Sequence, residues 1–234
     1  MIAVLASRFD DAALEAASVW RSTRDVVVLT VDDLLSPGWI IPTRNVGSSR
    51  FVAEGRVHSV RDLAGVVNLM SRVHDFEMFG IRRRDRRYVS AELWAMLVWW
   101  LRALPCPVLN RPTAGCLNGP SWQLEHWVAA CRRAGIPASA AARVDCATEI
   151  HATSVVHERT LGTLFREECR ILSVLAETEF IEVFFRKQEN SLSFHAVNLL
   201  PTIERPEIRN LLADALLQPP GEPRHGPAVG IAGG

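Results

Sequence analysis

The stretch SFHAVNLLP, residues 193–201, decides the fold of the C-terminal part of the chain. Residues 192–197 alternate between two faces, as do residues 180–185, which is typical of strands with one buried face. The polar segment 186–190 separates the two runs, so the pattern predicts an antiparallel hairpin. Pro206 suits the first turn of a following helix, which we expect to end near Leu217.

The first half of the chain alternates between strand-like and helix-like patterns. Residues 2–6 and 26–30 are short runs of apolar and β-branched residues, and residues 11–20 between them have helical spacing. This β-α-β order predicts a parallel sheet with a right-handed crossover. Further strands are predicted at 50–53, 56–60, 65–69, 107–109 and 153–157, and further helices at 121–134 and 164–175.

Residues 88–104 are predicted to form a helix that is apolar on nearly every side. Such a helix is either buried on several sides or covered by a partner, because large apolar patches rarely stay exposed. The sequence leaves both possibilities open. If a partner covers the helix, the interface candidates are Leu93, Trp94, Leu97 and Trp100.

The composition narrows the class of protein and its compartment. Lys+Arg and Asp+Glu number 26 each, so no overall field attracts nucleic acid or an anionic membrane. Five widely spaced cysteines without a C-x-x-C pair argue against a disulfide framework and a structural zinc site. No apolar run is long enough for a signal sequence or a membrane span. We therefore expect a soluble, cytoplasmic protein that binds neither nucleic acid nor membrane.

A polar loop between the predicted strand at 107–109 and the predicted helix at 121–134 is the candidate ligand site. A helix N-terminus favours anions through its backbone amides and its dipole, and an arginine here could clamp a carboxylate or a phosphate. The alternative is a turn in which Ser121 caps the helix. The candidate ligand-binding residues are Asn110, Arg111, Thr113, Asn118, Ser121 and Trp122.

Several segments carry a family resemblance. Val66-Val67-Asn68, residues 85–94 and the run PVLNRP at 107–112 resemble the N-terminal, pre-ATP-grasp domain of RimK-like ATP-grasp proteins. Residues 172–217 resemble the last elements of that family: a helix, a strand with an acidic metal ligand, a turn, an E-x-N-x-x-P strand and a final helix.

The resemblance implies an α/β protein built from two parts. Residues 1–137 would form a parallel-sheet pre-ATP-grasp domain, and residues 147–217 a shortened α+β remnant of the ATP-grasp C-terminal lobe. Residues 138–146 are a candidate linker. The Pro- and Gly-rich residues 218–234 are predicted to be a disordered tail.

The chain departs from the family pattern where magnesium and ATP would bind. Active members bind the ATP phosphates with lysines, whereas Lys187 is the only lysine here and lies in the predicted turn. The glutamate of the E-x-N motif is replaced by Ala196, which leaves Asn198 as a weak remnant of a metal ligand. No register can be fixed around Glu182 that places an acidic ligand. Phosphoryl transfer relies on such groups for electrostatic stabilisation, so we predict no catalytic residues and no metal site.

Three functions remain open. The departures favour a truncated, degenerate ATP-grasp protein that serves a ligase or tailoring enzyme as a non-catalytic accessory. Its partner would be a protein, a peptide or a second copy of the chain, and it would need no cofactor. The alternative is a divergent ATP-dependent carboxylate-amine ligase that uses ATP and Mg²⁺ and relies on arginines. The third is a small-molecule or nucleotide-sensing module built on the loop at 110–122.

Overall fold

A computed structural model of the chain describes residues 1–138, 149–156, 159–188 and 191–217. The predicted tail at 218–234 and residues 139–146 of the candidate linker lie outside the described residues. In the first half the elements are β1 (Ile2–Leu5), α1 (Asp11–Arg21), β2 (Val26–Leu29), α2 (Val31–Leu34), β3 (Arg50–Ala53), β4 (Arg56–Ser59), β5 (Gly65–Asn68), α3 (Arg86–Ala103) and β6 (Val108–Leu109). In the second half they are α4 (Leu124–Ala134), β7 (Glu149–Val156), β8 (Arg159–Leu161), α5 (Arg166–Leu175), β9 (Phe180–Gln188), β10 (Ser191–Asn198) and α6 (Pro206–Leu217).

The first half forms a parallel sheet in the order β2-β1-β5-β6, and β3 and β4 form a separate hairpin. Strands β1, β2 and β5 are buried along their whole length. Burial of both faces explains why their sequences are continuous apolar runs without alternation. The predicted parallel sheet is confirmed.

Helix α3 packs into the core on one face of the parallel sheet. Leu97 and Trp100, two of the four interface candidates, are 0% and 1% exposed, so they are core side chains and are not available to a partner. The Trp100 ring lies 5.7 Å from the ring of Phe51. The other two candidates, Leu93 and Trp94, are partly buried against the same core. The apolar character of the helix is therefore explained largely by packing within the chain.

The second half forms an antiparallel sheet in the order β10-β9-β7-β8. The predicted hairpin is confirmed as β9 and β10, whose register shifts at His195 between Phe194 and Ala196. One face of this sheet packs on α4 and α5 through a core that includes Ile181, Val183 and Phe185. The chain is thus a mixed α/β protein with one parallel and one antiparallel sheet, as predicted.

Helix α6 returns from the antiparallel sheet to the parallel sheet. Its residues Ile208 and Leu212 share a core with β1, α1 and Phe180 at the start of β9. The approach to β5 is close, because a Cβ on Gly65 would lie 2.6 Å from Leu216 Cδ2. No helix among the described residues has the length and apolar character needed to cross a bilayer.

Candidate functional site

The open face of the antiparallel sheet carries a row of polar side chains. Because Ile181 and Val183 point toward α4 and α5, Glu182 between them points to the opposite face. Glu182 pairs with Asn198 on β10 and with Ser154 on β7. Residues paired across strands share a face, so these three polar side chains lie side by side across three strands.

The carboxylate of Glu182 is fully buried, with the residue 0% exposed. Its Oε1 accepts a hydrogen bond from Ser154 Oγ at 3.2 Å and one from Arg205 Nη1 at 3.0 Å. Its Oε2 accepts one from Thr202 Oγ1 at 2.8 Å. Both carboxylate oxygens are therefore occupied by protein donors, and a guanidinium supplies the countercharge that a buried carboxylate requires.

The neighbouring positions on β10 supply no second carboxylate. Ala196 pairs with Phe184 and lies on the same face as Glu182. The amide of Asn198 caps the turn that follows β10, since its Oδ1 accepts a hydrogen bond from Leu200 N at 3.0 Å. Asn198 therefore stabilises the turn that leads to α6.

The outer end of the open face holds an arginine-histidine pair. The side chain of His195 lies 3.0 Å from Arg186, measured between His195 Nδ1 and Arg186 Nη2. Arg186 is 2% exposed although it lies on an open sheet face. The bulge at His195 allows this contact, because it adds a residue to β10 opposite β9.

These residues do not fit magnesium with a nucleotide, the pair that the ATP-grasp resemblance implies. Nucleotide-bound Mg²⁺ takes one or two carboxylates along with phosphate oxygens and water, and Glu182, the carboxylate of this row, is already paired with the positive charge of Arg205. Lys187 lies five positions beyond Glu182 on β9 and points to the opposite face. No group of three or more His, Cys, Asp or Glu side chains in the described parts of the chain could hold a metal.

Asn110, a predicted ligand-binding residue, instead links the two sheets. It follows β6 and is 1% exposed. Its Nδ2 donates to the carbonyl of Phe180 at 2.7 Å and to that of Leu199 at 3.2 Å, and its Oδ1 accepts from Phe180 N at 2.6 Å. One amide side chain thus satisfies backbone groups from the start of β9 and the end of β10.

Arg111, the predicted anion clamp, closes the C-terminus of α3. Its Nη1 donates to the carbonyls of Leu101, Arg102 and Leu104, and its Nη2 donates to Cys106 O at 2.7 Å. Helix C-termini expose unpaired carbonyls that basic side chains can satisfy. The guanidinium therefore has a structural role, and an anion-binding role for it stays a prediction.

The remaining loop candidates lie in the same segment and contact the loop itself or its neighbours in the fold. Thr113 Oγ1 donates to Gly119 O at 2.8 Å, and Asn118 Nδ2 donates to Met70 O at 3.1 Å. The ring of Trp122 packs 4.7 Å from that of Trp127 on α4. Ser121 does not cap the helix, because α4 begins at Leu124, later than the sequence predicts. The loop is held by a bond within it and by bonds to residues at the end of β5, and ligand binding by the loop stays a prediction.

One carboxyl group beside this loop is electrostatically perturbed. Burial raises the pKa of Glu179, and hydrogen bonding from the backbone N–H of Arg111 together with the nearby guanidinium of the same residue offsets part of that rise. The backbone nitrogen of Arg111 lies 3.3 Å from Glu179 Oε2, and the guanidinium Nε of Arg111 lies 3.8 Å from Glu179 Oε1. Glu179 therefore belongs to the contact between the loop and β9.

Sequence reasoning missed most of the polar row. Ser154 on β7 and the turn residues Thr202 and Arg205 gave no signal, because they meet Glu182 only in the folded chain. Glu182 does carry a sequence signal, because it is the single charged residue in the otherwise apolar run 180–185. A lone charge inside a buried strand requires a partner, so the run 180–185 by itself indicates that Glu182 is paired in the fold.

Comparisons with known proteins support the architecture. No protein-family model and no curated protein sequence matches the chain. Among solved structures it is similar to ATP-grasp ligase PsnB complexed with a minimal precursor, with TM-score 0.70, 11% identity and coverage of 92% of this chain and 97% of that chain. It is also similar to macrocyclase MdnC bound with precursor peptide MdnA from Microcystis aeruginosa MRC, with TM-score 0.63, 9% identity and coverage of 94% and 100%.

A third similar structure is a RiPP-associated ATP-grasp ligase from Chryseobacterium gregarium in complex with ADP and a leader and core peptide. Its TM-score is 0.62 at 7% identity, and the alignment covers 92% of this chain and 95% of that chain. The three comparisons place this chain in the ATP-grasp fold. At such identities they speak for the fold alone.

Proposed function

We propose that this protein is a degenerate, RimK-like member of the ATP-grasp fold that acts without catalysis and binds a peptide that a ligase or tailoring enzyme processes. One observation carries the proposal. At the place on the open sheet face where a metal carboxylate would be needed, Glu182 is closed off by Ser154, Thr202 and Arg205. In this arrangement the positive charge beside the carboxylate comes from Arg205 and not from a metal ion.

Of the four arginines that could replace phosphate lysines, Arg143 lies outside the described residues, and the other three have partners. Arg159 pairs with Asp214 at 3.3 Å. Arg166 Nε donates to Gly162 O at 2.6 Å, and Arg170 pairs with Glu167. Because phosphoryl transfer depends on cations aimed at the transferring group, this distribution favours the non-catalytic function over the divergent ligase.

An exposed aromatic surface supports the peptide partner. Phe9, Phe76 and Phe79 are 55%, 52% and 61% exposed, and the Phe9 ring lies 5.9 Å and 6.3 Å from the other two. Clustered apolar side chains on a surface mark interaction sites. The similar structures are themselves complexes, of PsnB with a minimal precursor, of MdnC with precursor peptide MdnA, and of the Chryseobacterium gregarium ligase with a leader and core peptide.

The compartment we propose is the cytoplasm. Cys106, Cys116, Cys131 and Cys169 are unpaired thiols in the described parts of the chain. Unpaired thiols are typical of a reducing compartment, where disulfides are rare.

Thermal melting with Mg·ATP tests the absence of nucleotide chemistry. A ligand at 100 times its Kd stabilises a protein by about 2.7 kcal/mol, which for a chain of this size raises Tm by roughly 5–10 °C. We expect no rise at millimolar Mg·ATP. A rise that EDTA abolishes would refute the non-catalytic reading.

Peptide binding is tested with the peptides encoded beside the gene, each labelled and titrated by fluorescence anisotropy. We expect one of them to bind, and the double variant Phe76→Ser, Phe79→Ser to weaken its binding. The matched control is Ile171→Ser, Val174→Ser on α5, because these apolar residues have similar exposure, 48% and 45%. If only the α5 variant loses binding, the peptide docks elsewhere. If no peptide binds, the proposed partner class is wrong.

A further inference from the structure

We infer that the guanidinium of Arg205 occupies a divalent-cation position on the open face of the antiparallel sheet. A carboxylate that is 0% exposed needs a positive partner, either a metal ion or a cationic side chain. Arg205 Nη1 fills that requirement at 3.0 Å from Glu182 Oε1. The inference rests on the proposed function and adds the reason that the site rejects metal.

The carboxylate to which this guanidinium is bonded lies among other side chains that carry oxygen atoms. The carboxylate of Glu182 lies beside the hydroxyls of Ser154 and Thr202, and the Asn198 amide is paired with it across the strands. Hard divalent cations prefer carboxylate, carbonyl and water oxygens. The row therefore resembles a partial cation site in which one ligand, the carboxylate that Ala196 lacks, is missing.

Local structure directs Arg205 to this position. The turn 202–205 connects β10 to α6, and Arg205 N donates to Thr202 O at 3.1 Å. The carbonyl of Arg205 accepts from Ile208 N and Arg209 N at the start of α6. Because the same turn places both the Thr202 hydroxyl and the Arg205 guanidinium on one carboxylate, the guanidinium is held in place rather than drawn from solvent.

The position is also open on its outer side. The side chain of Arg205 is 44% exposed, whereas that of Glu182 is 1% exposed. Removal of the guanidinium would therefore connect the buried carboxylate to solvent, and an aqueous cation could reach it. Ala196 is partly exposed on the same face, so a glutamate there could supply the second carboxylate.

The experiment measures Mn²⁺ binding by electron paramagnetic resonance of the free ion, with the full chain and no nucleotide. We expect the double variant Ala196→Glu, Arg205→Ala to bind Mn²⁺ at least about tenfold more tightly than either the wild type or Ala196→Glu alone, because a guanidinium beside the site repels a second cation. The matched control is Ala196→Glu, Arg209→Ala, since Arg209 lies on α6 but pairs with Glu15. This control should bind no better than Ala196→Glu.

Equal Mn²⁺ affinity in Ala196→Glu with and without Arg205 would overturn the inference, as would tight binding by the wild type. Loss of Arg205 could unfold the chain, so circular dichroism is recorded in Mn²⁺ and in EDTA. Folding that depends on Mn²⁺ supports the inference, and a double variant that is unfolded in both solutions overturns it. The two proposals fail separately: wild-type stabilisation by Mg·ATP refutes the function, whereas an unresponsive double variant refutes only the cation position.

Discussion

Replacement of Asn110 by alanine should lower stability strongly, because this side chain joins the two sheets. Asn110 is 1% exposed and makes three hydrogen bonds to the backbone of Phe180 and Leu199. Alanine would leave the N–H and C=O of Phe180 buried and unpaired. The Leu199 carbonyl is only partly buried and its bond is longer, 3.2 Å, so water can replace it.

The expected magnitude follows from these groups. An unsatisfied buried donor or acceptor costs about 1–3 kcal/mol. Two such groups on Phe180, with a small contribution from Leu199, give about 3–4 kcal/mol for Asn110→Ala. For a chain of this size the corresponding fall in Tm is roughly 10 °C.

Asn118→Ala is the matched control, because Asn118 is the other buried asparagine of the same loop, 2% exposed. Its Nδ2 makes one bond, to Met70 O, and its Oδ1 has no hydrogen-bond partner in the described structure. We therefore expect a loss of only about 1 kcal/mol. Urea unfolding followed by circular dichroism gives both values. If Asn110→Ala costs no more than Asn118→Ala, the link between the sheets is not the role of Asn110.

Three further predictions concern charge and ionisation. Arg205→Met should lower the free energy of unfolding, measured in urea, by about 2–3 kcal/mol. This is less than the usual cost of about 3–5 kcal/mol for breaking a buried ion pair, because the side chain of Arg205 is 44% exposed. Adding Glu182→Gln to this variant should restore part of the loss, and simple additivity of the two changes would contradict the pairing. The pKa of the Glu179 carboxyl is raised in the fold. The stability that this carboxyl contributes is therefore present below its pKa in the unfolded chain and is lost as the pH rises through its pKa in the folded chain. Glu179→Gln should raise Tm more near pH 7 than near pH 4, and an equal change at both pH values would refute this. Burial raises the pKa of the thiols of Cys131 and Cys169 to about 12. Neither thiol should therefore react with Ellman's reagent in the native chain near pH 7. Rapid labelling of either cysteine, mapped by mass spectrometry, would contradict its burial.

The elements of the fold were predictable because they depend on local patterns. Continuous apolar runs predict the buried parallel strands, and alternation predicts the hairpin of β9 and β10. Strand β8 was missed, since three residues carry too little pattern to be distinguished from a loop. Helix α3 was ambiguous, because an apolar surface predicts burial without saying what buries it.

The register of the polar row was beyond sequence reasoning. Before the bulge Phe194 pairs with Phe185, and after it Ala196 pairs with Phe184. Without the extra residue at His195, Asn198 would pair with position 181 and point to the opposite face from Glu182. A shift of one residue exchanges the two faces of a strand, and the sequence around His195 contains no glycine or proline to mark the irregularity.

The loop at 110–122 shows a second limit of sequence reasoning. An asparagine and an arginine after a strand are the residue types that bind anions, and they are also the types that satisfy backbone groups. Which role they take depends on partners distant in the chain: Phe180 lies 70 positions from Asn110. Spacing within the loop contains no information about such partners.

A buried charged pair need not indicate catalysis, and here its position suggests a structural reason for its presence. If β9 slipped by one residue, Glu182 would enter the apolar core beneath α4 and α5, where Ile181 and Val183 now pack. No partner for a carboxylate is available among those side chains, so the slipped register would bury an unpaired charge at a cost of several kcal/mol. The contact of Glu182 with Arg205 therefore favours one register over its nearest competitor. Such selection requires no metal and no nucleotide, so it gives the buried carboxylate a structural role of its own.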